Sequence, residues 1–151
     1  IPQGSLSSFA NYVAGLMPTQ KEVNAIAQAF RELAEKEETD VYHCTQLYGI
    51  GGSIRSAAKL YGDLCNNGNR FNYLLPEHID AILNRYAEDP NAFAHEALRT
   101  LPDRIHTLIP GCVIIREAFK LCGGERLDIC KYGVREGYLA ERVLVKPVSF
   151  A

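Results

Sequence analysis

YGIGGSIRSAAKLYG, residues 48–62, sets three glycines between two kinds of hydrophobic pattern. Upstream, Val41 to Tyr48 is rich in β-branched and aromatic residues and reads as a buried strand. Downstream, Ile54, Ala57, Ala58, Tyr61 and Cys65 recur on one helical face, and their small size suits close packing on a sheet. The unit is strand, glycine loop, helix, which places the chain among α/β proteins. Such a loop has two physical readings. The first amides of the helix have no intrahelical acceptor, and the helix dipole adds about half a positive charge there. Without a Cβ, Gly51 and Gly52 let a phosphate oxygen reach the backbone, while Ser53 supplies either an N-cap or a hydroxyl donor. Arg55 and Lys59 lie nearby, one turn apart. The same glycines also make a tight turn and a close strand–helix contact with no ligand at all. Two better-known phosphate motifs do not fit: the dinucleotide fingerprint requires glycine where Ile54 stands, and the Gly-Lys-Ser/Thr of a P-loop is absent.

Helical periodicity extends on both sides of this unit. Thr19 and Glu22 fit a capping box ahead of Val23, Ile26, Ala27, Phe30, Leu33 and Ala34, which predicts a helix over 19–37. Residues 1–18 show no sustained period and read as a loop with one helical turn. The acidic stretch EKEETD, Glu35 to Asp40, reads as a solvated helix end and not as a metal cluster. The cluster NNGN after Gly62 marks the frayed end of the helix that follows the glycine loop. A further helix follows Pro76, with Ile79, Ile82, Leu83 and Tyr86 in register, and Pro90 closes it. Phe93, Ala94, Ala97, Leu98 and Leu101 mark the next. Residues 104–122 are helical in pattern, but proline cannot donate within a helix, so a break is expected at Pro110, which opens a new helix ended by Gly123 and Gly124. Arg126 to Cys130 reads as a short strand, Gly133 as a second glycine loop, and Val134 to Leu144 as the last helix. The expectation is one helix-rich α/β domain over residues 1–151.

Composition narrows the function classes. In 151 residues the formal net charge is -2, which gives no global field to attract DNA, although a local cationic cleft still suits a small polyanion. The five cysteines are odd in number and form no CxxC pair, which favours a reducing, cytoplasmic setting, with Cys112 and Cys122 filling an apolar stripe. No apolar run approaches the roughly 20 residues that span a bilayer, and no charged-then-apolar leader opens the chain, so no membrane role is expected. His43, His78, His95 and His106 have no short zinc-type spacing; Arg104, two residues before His106, adds a basic rim.

Three segments taken together resemble one family. Residues 48–60 are similar to the Gly-x-Gly-Gly-Thr/Ser-Ile-Arg-x-x-Ala-Lys-Leu segment of the exopolyphosphatase and guanosine pentaphosphate phosphatase (Ppx/GppA) family. LPDRIHTLIPGCVIIREAFKLCG, residues 101–123, resembles that family's arginine-rich turn, Ile-Pro-Gly/Ala and long apolar helix, and ICKYGVREGYL, residues 129–139, resembles its closing Gly-Val/Leu-Arg-Glu-Gly. PQGS and MPTQKEV resemble what precedes them, so the likeness is collinear over nearly the whole chain.

The resemblance implies most of the second ribonuclease-H-like domain of a sugar kinase, chaperone and actin superfamily protein, truncated at its N-terminus. It implies part of a phosphohydrolase that releases terminal phosphate from inorganic polyphosphate or from guanosine pentaphosphate, with Mg2+ whose ligands lie outside this chain. An N-terminal domain, also outside, supplies the catalytic glutamate; the family's Asp-x-Gly-Gly-Gly-Ser loop is not found here, so no catalytic residue is assigned and the chain alone is expected to be inactive. Phosphate binding is carried over to Gly49, Gly51, Gly52 and Ser53, with Arg55 beside them. Arg135, in the segment with Gly133, Glu136 and Gly137, either reaches a phosphate or pairs internally with an acid such as Glu141. The alternative is a non-catalytic module of the same superfamily that binds a nucleotide, such as guanosine tetraphosphate, or another partner. Kinase-like transfer fits less well, because all three segments read like the phosphatases. A fragment of this kind exposes a strand edge and an apolar face, and a homodimer is one consequence.

Overall fold

The computed structural model describes residues 1–37 and 43–144. In chain order the elements are α1 (Ser5–Tyr12), α2 (Gln20–Lys36), β1 (Gln46–Gly49), α3 (Gly52–Cys65), β2 (Tyr73–Leu74), α4 (Pro76–Glu88) and α5 (Pro90–Thr100). A 3-10 turn at Pro102–Arg104 then leads into α6 (Ile105–Cys122), β3 (Arg126–Ile129), α7 (Val134–Leu139) and a π-helical turn at Ala140–Leu144. The strands form a three-stranded sheet in the order β1-β3-β2. β1 runs parallel to β3, with Gln46 opposite Arg126 and Gly49 opposite Ile129, and β2 is antiparallel to β3. The helix-rich α/β class read from the sequence is the class observed.

Most helix starts follow from local chemistry. The Thr19 hydroxyl accepts the Glu22 N–H at 3.4 Å while Glu22 Oε2 accepts the Thr19 N–H at 2.6 Å, the reciprocal capping box. Pro90 does more than end α4: Asp89 Oδ1 accepts the N–H groups of Asn91 and Ala92, and Pro90 stands at the first position of α5, where its missing donor is not needed.

Several expectations need correction. The strand expected from Val41 begins only at Gln46 among the described residues; Val41 and Tyr42 lie outside them, as do Glu38 to Asp40. Residues 5–12 are a helix where a loop was expected. Its packing face is built from small polar groups that carry no hydrophobic period: Ser8 is fully buried, and the Phe9 ring meets His106 edge-on at 5.1 Å. The break expected at Pro110 does not occur. Pro110 deprives the His106 carbonyl of its helical donor, one bond of about 1 kcal/mol. Against that, α6 buries Ile109, Pro110, Gly111, Cys112 and Val113 in succession, so it is covered on all sides by α1, α2, α3 and α4. Interrupting it would return that surface to water at about 25 cal/mol per Å2.

The core runs continuously through α2, α3, α4 and α6, with Ile26, Leu60, Ile79, Ile82 and Ile109 fully buried. Cys112 belongs to it, and burial pushes its thiol up to about 12, so it fills space and does not react. Cys122 is half-buried at the end of α6. One charge sits inside: Glu117 is 2% exposed and takes Arg31 at 2.8 Å and Lys120 at 3.1 Å. Burial raises its carboxyl, but the hydrogen bonds and charges of Lys120 and Arg31 outweigh burial and hold it below the usual carboxylate range.

This arrangement orders the outcomes of substitution. Glu117→Gln removes the partner of two largely exposed cations and is expected to cost about 1 kcal/mol, whereas Arg31→Ala with Lys120→Ala leaves the buried carboxylate with Arg116 alone, at 3.5 Å, and costs about 2–3 kcal/mol. Urea denaturation of both variants checks the order. Because the folded carboxyl titrates low, its contribution is complete above the ordinary glutamate value of about 4.3 and is lost as pH falls through the depressed folded value.

Candidate functional site

The three glycines after β1 do three different things. Gly49 is a packing residue: a Cβ there would stand 2.6 Å from Leu127 Cδ2 and 2.7 Å from Ile54 Cδ1, and its carbonyl accepts the Cys130 N–H at 2.8 Å. Gly51 is a backbone residue, with φ 118 at the N-cap of α3 and nothing near its missing side chain. Gly52 is a contact residue. The position its Cβ would take lies 2.7 Å from one terminal nitrogen of the Arg104 guanidinium, brought there by the turn that precedes α6.

α3 therefore opens with no side-chain cap, and its first backbone bond is the one from Arg55 N–H to Gly51 O at 3.5 Å. The N–H groups of Gly52, Ser53 and Ile54 precede it and have no acceptor among the described residues. Gly51 and Gly52, at this opening turn, line a cleft of about 540 Å3 together with Arg55, Arg104, Lys131 and Arg135, with Glu136 as its carboxylate. None of those cations makes an ion pair within the described residues. Glu136 is committed elsewhere. It accepts the Gly133 N–H at 2.8 Å at the start of α7, and its own backbone N–H and that of Gly133, with Arg135 and Arg55 nearby, hold its acid below the usual carboxylate range. The cleft thus has a surplus of positive charge in a chain whose net charge is -2.

The predicted site residues divide accordingly. Gly51, Gly52, Arg55 and Arg135 are brought together. Gly49 stands behind the cleft, packed on Leu127. Ser53 is neither the N-cap nor a lining residue: its hydroxyl is 2.9 Å from Ser5 Oγ of α1. The internal pairing considered for Arg135 is not made, since Glu141 lies 3.9 Å from Arg142 instead. Lys59 turns away to donate to the Thr100 carbonyl at 2.8 Å. Sequence reading assigned no role to Lys131 and placed Arg104 only on a vague basic rim. The signal for Arg104 was the segment LPDR, whose 3-10 turn aims the side chain back at Gly52. Among the described residues no group of three or more His, Cys, Asp or Glu is gathered to hold a metal ion, and no helix is long and apolar enough to cross a membrane.

No family model and no curated protein matches this sequence. Solved structures do. The chain is similar to the crystal structure of the Aquifex aeolicus member of the Ppx/GppA protein family, with a TM-score of 0.74 and 20% identity, over 95% of this chain and 47% of that one. It is similar to the type II variant of the A. aeolicus Ppx/GppA phosphatase, with a TM-score of 0.74 and 18% identity over 95% and 48% of the two chains. A PPX-GPPA enzyme of the same organism matches with a TM-score of 0.73 and 19% identity over 93% and 47%. The fold is therefore that of about half of a Ppx/GppA structure, and the resemblance read from the sequence holds at the level of fold.

The contrast between Gly49 and Gly52 is measurable. Gly49→Ala drives a Cβ into two packed side chains and is expected to destabilise by about 1–3 kcal/mol, with Gly51→Ala costing a similar amount through its positive φ. Gly52→Ala meets only the movable end of Arg104, and its unfolding free energy from urea denaturation is expected to stay within about 0.5 kcal/mol of the unmodified chain.

Proposed function

We propose that this chain belongs to the Ppx/GppA family and is the phosphate-holding part of its second ribonuclease-H-like domain, in a phosphohydrolase that removes terminal phosphate from inorganic polyphosphate or guanosine pentaphosphate. The observation that carries the reading is the meeting of unpaired α3 amides with the Arg104 guanidinium at Gly52, flanked by Arg55, Lys131 and Arg135. Amides and guanidiniums aimed at one point neutralise phosphoryl oxygens, and groups already held by the fold need no reorganisation as charge shifts during in-line attack. Arg104 supplies a planar donor fork; Gly51 and Gly52 supply close approach.

These residues position a phosphate and do not attack it. The donor set does not fit a divalent cation, because the cleft offers one carboxylate, Glu136, among the four cations Arg55, Arg104, Lys131 and Arg135. No step is assigned here to Mg2+; its ligands and the glutamate that orients the water belong to the other half of the enzyme. The chain spans about half the length of the structures it matches, and Val134, Tyr138, Leu139 and Val143 are exposed apolar residues beside the cleft and along α7 and the turn after it. Such a face suits a covering domain.

Calorimetric titration with tripolyphosphate tests the reading. The unmodified chain is expected to bind saturably without releasing phosphate, and Arg104→Ala to weaken binding about tenfold. EDTA in place of Mg2+ is expected to leave the affinity within about twofold. Binding that ignores Arg104→Ala and Gly52→Val alike would contradict it.

A further inference from the structure

At the end of β1 away from the glycine loop, two cysteines come together across the turn that follows α6. Cys44 N–H donates to the Cys122 carbonyl at 2.9 Å, and the Thr45 carbonyl accepts the N–H groups of Glu125 at 2.8 Å and Arg126 at 3.0 Å. The approach to β1 is thus tied to the end of α6 before the pairing of β1 with β3 begins. The seam is tight. Gly123 caps α6 at φ 63, where a Cβ would stand 3.0 Å from His43 Nδ1, and a Cβ on Gly124 would stand 2.9 Å from Leu47 Cδ1.

The main-chain bond limits how far apart the two cysteines can be. With N and O 2.9 Å apart, covalent geometry alone holds the α-carbons of Cys44 and Cys122 within about 6.8 Å of each other, the widest separation a disulfide ordinarily spans. Both are free thiols, Cys44 exposed and Cys122 half-buried. The Cys44 thiol donates to the Gln46 carbonyl at 2.8 Å, and closing a bridge to Cys122 exchanges that bond for another rotamer about Cα–Cβ. Burial, and after it the neighbouring Cys44 thiol, push the Cys122 thiol up, so the two sulfurs lie within electrostatic reach. The other three cysteines sit elsewhere: Cys112 is sealed in the core, Cys65 ends α3, and Cys130 follows β3.

We infer that Cys44 and Cys122 are a site of reversible oxidation, closing a disulfide that staples the start of β1 to the end of α6. Hydrogen peroxide is the oxidant. Cys44, the exposed partner, gives up its proton and its sulfur attacks one peroxide oxygen; the O–O bond breaks and hydroxide leaves with that proton as water, which makes Cys44 a sulfenic acid. Deprotonated Cys122 then attacks the sulfenic sulfur; the S–S bond forms as the S–O bond breaks, and hydroxide leaves with the Cys122 proton as a second water. Two thiols lose two electrons, and one peroxide is reduced to two waters. The bridge closes a loop of about 80 residues, from β1 through α6, and so removes much freedom from the unfolded chain. Neither cysteine lines the Gly52 cleft, so the bridge and the phosphate reading stand or fall separately.

The test is mass spectrometry and thermal unfolding of the 151-residue chain before and after hydrogen peroxide, with dithiothreitol to reverse the change. Cys44→Ser, Cys122→Ser and Cys130→Ser are compared, and melting of each reduced variant shows that it is folded. The unmodified chain is expected to lose two hydrogen atoms, to yield a linked peptide pair carrying Cys44 and Cys122, and to melt more than about 5 °C higher until dithiothreitol is added. Cys130→Ser is expected to do the same. Cys44→Ser and Cys122→Ser are expected to lose both the bridge and the shift, with dimedone trapping the sulfenic acid on Cys44 in Cys122→Ser. Should Cys122→Ser fail to fold, Cys44→Ser carries the comparison, because Cys44 is exposed and its thiol bonds only Gln46. A bridge through another cysteine, two chains joined through Cys44, or oxygen gained with no hydrogen lost would overturn the assignment. A Cys44–Cys122 bridge that leaves the melting temperature unchanged would overturn the staple.

Discussion

At Gly111, near the middle of the buried helix α6, three helices meet with only two serine side chains between them. A Cβ there would stand 3.3 Å from Ser53 Cβ of α3 and 3.5 Å from Ser5 Cβ of α1, and the two serine hydroxyls share a bond of 2.9 Å. Because α6 is covered on every side, its neighbours are fixed by how closely they approach it. That contact sets the N-terminus of α3 against the first turns of α6 and thereby brings Arg104, the residue before α6, onto Gly52. The cleft is a consequence of core packing. Ser53, which chemistry alone would assign to a ligand, is spent on the junction that builds the site.

The charge pattern runs against stability. Arg55, Arg104, Lys131 and Arg135 share one cleft, and Glu136, bonded to the start of α7, neutralises them only in part. Several charges elsewhere among the described residues are paired, as Glu117 is with Arg31 and Lys120, Arg85 with Glu96, and Asp128 with Arg126. Unpaired like charges gathered on a rigid frame are costly in the free protein and are relieved by an anion, which is the local conflict expected of a binding site. The fixed amides of Gly52 and Ser53 add dipoles of the same sense at no cost in mobility.

Much of this was legible in the sequence because it rests on local rules. The strand, glycine loop and helix around Gly51, the capping box at Thr19, the strand at Arg126 and the helix after Gly133 follow from period, turn residues and caps. What was not legible depends on tertiary contact. α1 packs through Ser5 and Ser8, which leave no hydrophobic stripe to read, and β2 is only two residues long. Pro110 was read as a break because a single missing donor is visible in sequence, whereas the burial that overrides it is not. The same holds in the site: spacing marked Gly51, Gly52 and Arg55, but could not separate Gly49, which packs, from Gly52, which touches Arg104. Nor could it show that Lys131 comes within reach of Arg55.

The central claim is that the opening amides of α3 and the Arg104 guanidinium hold one phosphate between them. The most direct measurement is a nitrogen-15 chemical-shift titration of the chain with tripolyphosphate. The account predicts saturable shifts of the Gly52 and Ser53 amides and of Arg104 Nε with one common affinity, and little change at the exposed Arg85–Glu96 pair. Shifts that fail to saturate, or that appear at surface lysines while Gly52 and Arg104 stay still, would contradict it.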